Sequence, residues 1–187
     1  MSLWERLYKR WGYSAVQFLK FGLVGGSGVL VNMFVAFLMN KANGGTVNAQ
    51  RVVWGPIPGT AFNIRYTLLV WIGGFLVANV WNFLLNRHWT FAKDDTMAPF
   101  WKELWPFFTV GSIAAAVGAV IKIALTNPTS PIYLPDPWFH ESTGLQSREY
   151  WSQLLAIVFT LPINYVINKL WTFRSVRRRH AQATAQG

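Results

Sequence analysis

Cysteine is absent from the 187 residues, which excludes disulfides, thiol chemistry and cysteine-ligated metals. Acid is scarce: seven Asp and Glu stand against 17 Lys and Arg, for a net charge of +10. Charge of either sign is thin at 13% of residues, where an average soluble domain carries roughly 25%. Asp136, His140, Glu141 and Glu149 lack metal-ligand spacing and read as a solvated loop, so neither a metal nor any other cofactor is expected. What the chain holds instead is apolar side chains, 52% of residues with 17% aromatic, gathered in blocks and not spread at the period of a soluble core.

Charged residues cut the chain into four uncharged stretches: 20 residues from Phe21 to Asn40, 21 from Tyr66 to Asn86, 18 from Leu104 to Ile121, and 19 from Tyr150 to Asn168. A bilayer crossing takes about 17 to 25 residues. The lengths predict an all-α, polytopic membrane protein of four transmembrane helices, a single membrane domain over 1–187. The first stretch is too long for the apolar region of a cleaved signal peptide and is expected to stay as a helix. None of the four stretches contains a carboxylate, which removes an evident proton-coupling acid and paired-carboxylate catalysis.

Lys and Arg are placed unevenly. Twelve fall in the N-terminal segment, the middle loop and the tail; four, Lys41, Arg51, Arg65 and Arg148, fall in the two alternate loops. The positive-inside rule puts the twelve, and both termini, in the cytoplasm, with the cell's inner (plasma) membrane as the location. The basic residues therefore read as topology signal and as attraction for anionic phospholipids, with no nucleic acid partner. The outer loops, about 41–65 and 127–149, are rich in Pro, Gly and Trp and are expected to be irregular. Residues 174–187 read as a basic, largely disordered cytoplasmic tail.

The second stretch ends Asn82-Phe-Leu-Leu-Asn86-Arg87-His-Trp89-Thr90-Phe91, and the fourth ends Asn164-Tyr-Val-Ile-Asn168-Lys169-Leu-Trp171-Thr172-Phe173. Asn, Asn, a cation, Trp, Thr and Phe recur in register at an offset of 82 residues. Phe18-Leu-Lys-Phe-Gly22 and Phe107-Phe-Thr-Val-Gly111 align more weakly, at an offset of 89. Two parallel-related helix-pair repeats are implied, about 15–91 and 104–173, related by an axis along the membrane normal.

On the Phe18-Leu-Lys-Phe-Gly-Leu-Val-Gly-Gly start, on Asn32 ten positions beyond Gly22, and on both Asn-x3-Asn-cation-x-Trp-Thr-Phe ends, the sequence resembles the GtrA-like proteins. These are four-helix membrane proteins that accompany polyprenyl-phosphate glycosyltransferases. The resemblance covers roughly residues 15 to 175, while the long outer loops depart from the short ones usual in the family. It implies translocation of a polyprenyl-phosphate-linked monosaccharide for cell-envelope polysaccharide or glycan modification, with a membrane-associated glycosyltransferase as partner.

Polar side chains are costly in hydrocarbon, which singles out Asn32, Asn79, Asn82, Asn86, Asn164 and Asn168. Spacings of three and four residues put Asn79, Asn82 and Asn86 on one helix face, and Asn164 with Asn168 on another. Such amides either hydrogen-bond between helices or line a path for a sugar headgroup. Arg87 and Lys169, directly after each stripe, either snorkel to the interface or hold the phosphate. Lys20 and Lys122, toward opposite ends of their helices, either snorkel too or offer an anionic headgroup a resting site on each side.

Gly22, Gly25, Gly26 and Gly28 lie inside a lipid-length segment without a preceding strand or Walker lysine, so they are no nucleotide loop. Gly22 with Gly26, Gly111 with Ala115, and Ala114 with Gly118 form small-residue faces for packing between helices or between protomers of a homo-oligomer. No nucleophile, base and oxyanion set can be assembled, so no enzyme is expected. Besides a flippase, a non-transporting scaffold that anchors a glycosyltransferase fits the sequence. A proton-coupled exporter would need an embedded acid.

Overall fold

A backbone in hydrocarbon must satisfy its own N–H and C=O groups, and a helix does so within one segment. The computed structural model, which describes residues 5–6, 12–60, 62–90, 99–141, 144 and 146–163, is accordingly helical. Helix α1 runs over Tyr13–Ala42, α2 over Tyr66–Leu85 with a π-helical continuation Asn86–Thr90, and α3 over Phe100–Thr126. Helix α4 is described over 148–163. Leu19–Ala42, Tyr66–Thr90 and Phe100–Thr126 are each long and apolar enough to cross a membrane.

The helices overrun the uncharged stretches. Lys20 and Lys41 lie within α1, and Glu103 and Lys122 within α3. A charge marks the edge of the hydrocarbon zone, whereas a helix stops where backbone geometry stops it. Thus α1, 30 residues long, ends before Gly44 and Gly45, which take φ of +80° and +106°.

The bundle is apolar outside and polar inside. Leu30 and Val120 are 73% and 67% exposed, and Phe34 and Phe159 also face outward. The buried set includes Lys20, Asn32, Asn79, Asn86, Lys122, Glu149 and Gln153 beside Val24, Val70 and Ala114. Lipid tails solvate leucine as well as a core would, so the interior is where polar groups gain most.

Both long loops gather at one end of the bundle, where they line a common cavity. The first is more regular than its composition suggested. A short 3-10 turn, Thr46–Asn48, precedes β1 (Val52–Trp54) and β2 (Ile64–Arg65), an antiparallel pair with Val52 opposite Arg65. Gly55 makes the bend with φ +141°, and a Cβ there would meet the Asn63 Cα at 2.9 Å. Carbonyls of this loop cap α2: Ala49 and Arg51 accept from the Thr67 and Tyr66 amides at 2.8 and 2.9 Å.

In the second loop Asp136 is solvated as expected, with its side chain 65% exposed, but the loop is organised around a buried cation. Arg148 is buried and donates to the Leu134 carbonyl at 3.0 Å, the Phe139 carbonyl at 2.7 Å, Asp136 at 2.9 Å and Glu141 at 2.6 Å. Its guanidinium also lies 4.5 Å from the Tyr133 ring centre.

Single cysteines introduced at Thr60 and Trp138 should react with a membrane-impermeant maleimide from the same side of sealed vesicles. One at His88 should react from the other side. Labelling of positions 60 and 138 from opposite sides would contradict this arrangement.

Candidate functional site

Inside the bundle the amides of α1 and α2 turn inward and sit over glycines of their neighbours. A Cβ added to Gly74 of α2 would lie 2.8 Å from Asn32 Oδ1 of α1, and one on Gly111 of α3 would lie 2.8 Å from Asn79 Nδ2 of α2. Gly28 of α1 faces the Asn82 amide in the same way, and Gly118 of α3 faces the Trp71 ring. These glycines act as sockets: only a missing side chain leaves room for an amide between two helices. The Gly22 and Gly26 face of α1 meets nothing within 4 Å among the described residues.

Asn32, Asn79 and Asn82, with Trp71 and Thr160, line an interior cavity of about 120 Å³. Among the described residues, Asn79 Nδ2, Asn82 Oδ1 and Asn86 Oδ1 are buried without a hydrogen-bond partner. An unmet buried amide atom costs about 1–3 kcal/mol. Interhelical bonding therefore accounts for Asn32, whose Oδ1 accepts from Gln153 Nε2 at 2.7 Å, but leaves these three atoms unexplained.

Between the cavity and the loops lies an ion pair. Lys122 Nζ of α3 bonds Glu149 Oε1 of α4 at 2.7 Å, and the two residues are 1% and 3% exposed. Lys122 also donates to Gln153 Oε1, and Thr67 Oγ1 of α2 donates to Glu149 Oε2 at 2.7 Å. With Asn32 bonded to Gln153, one network joins all four helices. The structure thus corrects two expectations. Glu149, assigned to a solvated loop and treated as a boundary, is a buried acid of the bundle. Lys122 neither snorkels nor stands open to a headgroup, because a buried cation without a counter-charge costs more than the pair.

At the end opposite the loops, Arg87 pairs with Glu103 of α3, and its guanidinium is 5.7 Å from the Phe100 ring centre. Lys20 is buried too, with Nζ 3.4 Å from the Trp89 carbonyl and 5.3 Å from the ring centre. Neither side chain simply snorkels. Asn164, Asn168 and Lys169 lie outside the described residues, so only the first Asn-x3-Asn motif can be placed.

The site residues missed in the sequence are Thr67, Glu103, Glu149 and Gln153. One signal was present for Glu149: a lysine four residues from the end of an apolar helix requires an acid nearby. Glu149 also opens α4 with Gln153 one turn on, which places both on one face. Histidine, aspartate and glutamate form no group of three able to hold a metal among the described residues.

Apolar helices with outward-facing hydrophobic side chains and a polar, hydrogen-bonded interior define an α-helical, multi-pass membrane protein. The family described as "GtrA/DPMS, transmembrane domain" matches residues 20–139 and, in a second overlapping match, 107–186; the chain belongs to this family. No curated protein and no solved structure matches it.

Neutralising one partner of the central pair strands the other. Lys122→Met or Glu149→Leu alone should lower stability in mild detergent by about 3–5 kcal/mol, and the double variant should recover most of that loss. Denaturant unfolding of the four proteins measures the coupling; strictly additive losses would show that the pair is not the linkage described.

Proposed function

We propose that the protein translocates a polyprenyl-phosphate-linked monosaccharide from the cytoplasmic to the outer leaflet of the inner membrane, both termini being cytoplasmic. The sugar then serves cell-envelope polysaccharide or glycan modification, with a membrane-associated glycosyltransferase as partner. Membership in the GtrA/DPMS family and the charge asymmetry of the loops support this. The observation that carries it is the pair of amide atoms, Asn79 Nδ2 and Asn82 Oδ1, that find no partner among the described residues and lie beside a cavity inside the span. Hydroxyl groups of a sugar are donors and acceptors of the kind those atoms lack.

At about 120 Å³ the cavity is smaller than the roughly 300 Å³ at which small-molecule sites begin. Passage of a sugar therefore requires the helices to part. In this reading Lys20 and Arg87 meet the phosphate on the cytoplasmic side, Arg87 by exchanging Glu103 for it, and Lys169 of the second motif does the same by analogy of sequence. Toward the outer side, the Lys122–Glu149 network stands above Asn32 as the barrier to cross. For a headgroup with one negative charge, an inside-negative potential favours outward movement by about 2.3 kcal/mol per 100 mV. Glu149 is committed to Lys122 and Thr67, and Glu103 to Arg87, so among the described residues both carboxylates of α1–α4 are already paired, which disfavours a proton-coupled exporter. In this scheme the protein carries the sugar and performs no bond-breaking chemistry of its own.

Purified protein in liposomes should speed the flipping of a fluorescent polyprenyl-phosphate hexose. The Asn79→Leu/Asn82→Leu variant should lower the rate at least tenfold while remaining folded, the loss of roughly one hydrogen bond to each amide. If the protein only scaffolds a glycosyltransferase, vesicles with the wild-type chain will flip no faster than protein-free ones. The same variant will then still pull down that enzyme.

A further inference from the structure

A second cavity, of about 730 Å³, opens at the loop end of the bundle, beyond the central ion pair. Its walls come from both long loops and the ends of α2 and α3, and include Phe62, Asn63, Arg65, Asn127, Tyr133 and Glu141. The volume falls within the roughly 300–1,000 Å³ of small-molecule sites. Thr67 and Thr126, which hydrogen-bond to Glu149 and to the Lys122 backbone, also line it. The chamber thus begins where the buried network ends.

The lining discriminates between classes of occupant. An acyl or prenyl chain would leave Arg65, Asn63, Asn127 and Glu141 facing hydrocarbon, at a cost for every polar group. A free anion would meet Arg65, but it would also meet the Glu141 carboxylate across the same space. Arg65 spends one hydrogen bond on the Gln50 carbonyl, at 3.1 Å, and has other N–H donors left. Glu141 binds Arg148 through Oε1, leaving Oε2 as an acceptor. One cation, one carboxylate, three amides and two aromatic rings, set among apolar side chains such as Ile57, Leu68 and Ile123, suit a neutral ligand with hydroxyl edges and C–H faces.

The walls are also fixed before any ligand arrives. Buried Arg148 holds Glu141 by an ion pair and lies 4.5 Å from the Tyr133 ring centre, while its remaining donors hold the loop between them. The β1–β2 pair and the Arg65–Gln50 bond do the same for the first loop. Holding side chains in place in advance is what a binding site requires and what a mere connector does not.

We propose that this chamber is a binding site for a neutral, hydroxyl-rich saccharide, separate from the interior cavity. The assignment does not depend on translocation, because a scaffold would bind a saccharide there equally well. The test uses the full chain in nanodiscs, with maltose, cellobiose and lactose as probes at millimolar concentration and amide hydrogen exchange as the readout. At least one disaccharide should slow exchange in both segments 46–66 and 127–141. Asn63→Ala and Arg65→Ala, both at exposed positions, should each weaken that effect roughly tenfold, the loss of one or two hydrogen bonds. Inorganic phosphate and glycerol 1-phosphate should give no protection. Three results would overturn the proposal: no protection by any disaccharide, protection by the phosphates alone, or disaccharide protection indifferent to both substitutions.

Discussion

The structure hangs on the contact between Lys122 and Glu149. Lipid offers no hydrophobic force to drive helices together, since an outward leucine is as well solvated as an inward one. A lysine buried near the end of α3 is different, because without a counter-charge it cannot stay ionised in that surrounding. Glu149 supplies the charge and so fixes α4 against α3. The remaining hydrogen-bonding capacity of the pair then reaches outward, through Thr67 to α2 and through Gln153 and Asn32 to α1. One neutral pair thereby sets the relative positions of four helices.

That contact also divides the molecule. On one side lies the small cavity walled by Asn32, Asn79 and Asn82, where amides are seated over glycines and two of their atoms remain unmet among the described residues. On the other lies the wider chamber under the loops. Asn32 and Thr67 each touch the network and one of the two spaces. Thr67 reaches the pair by one hydrogen bond to Glu149, and Asn32 reaches it by two, through Gln153 to Lys122.

The long loops belong to the same design. Arg148 directly precedes Glu149 in the chain, so the residue that clamps the second loop is covalently next to the one that locks α4 to α3. The first loop meets α2 through carbonyls that cap its opening amides, one of them on Thr67. Loop order and helix order are therefore coupled at the same end of the protein, where proline and glycine content alone would suggest loose connectors.

The sequence by itself determined the class, the helix count and the family, and the inward direction of the amide stripe on α2 was legible in the spacing of Asn79, Asn82 and Asn86. These follow from composition and period: transfer into lipid is a property of a stretch of residues, and a helix face is a property of spacing. It understated the helices, because charge reports the depth of lipid and not the end of backbone hydrogen bonding. It also misread Glu149, which looks like a loop charge in one dimension, and gave no sign that the loop cation Arg148 is buried. Only the tertiary structure decided that Lys122 meets Glu149 27 residues on, that Gln153 reaches Asn32 121 residues back, and that Asn79 and Asn82 keep atoms unmet among the described residues. Those partnerships are made by side chains brought together across the bundle, and no local pattern in the chain carries that information.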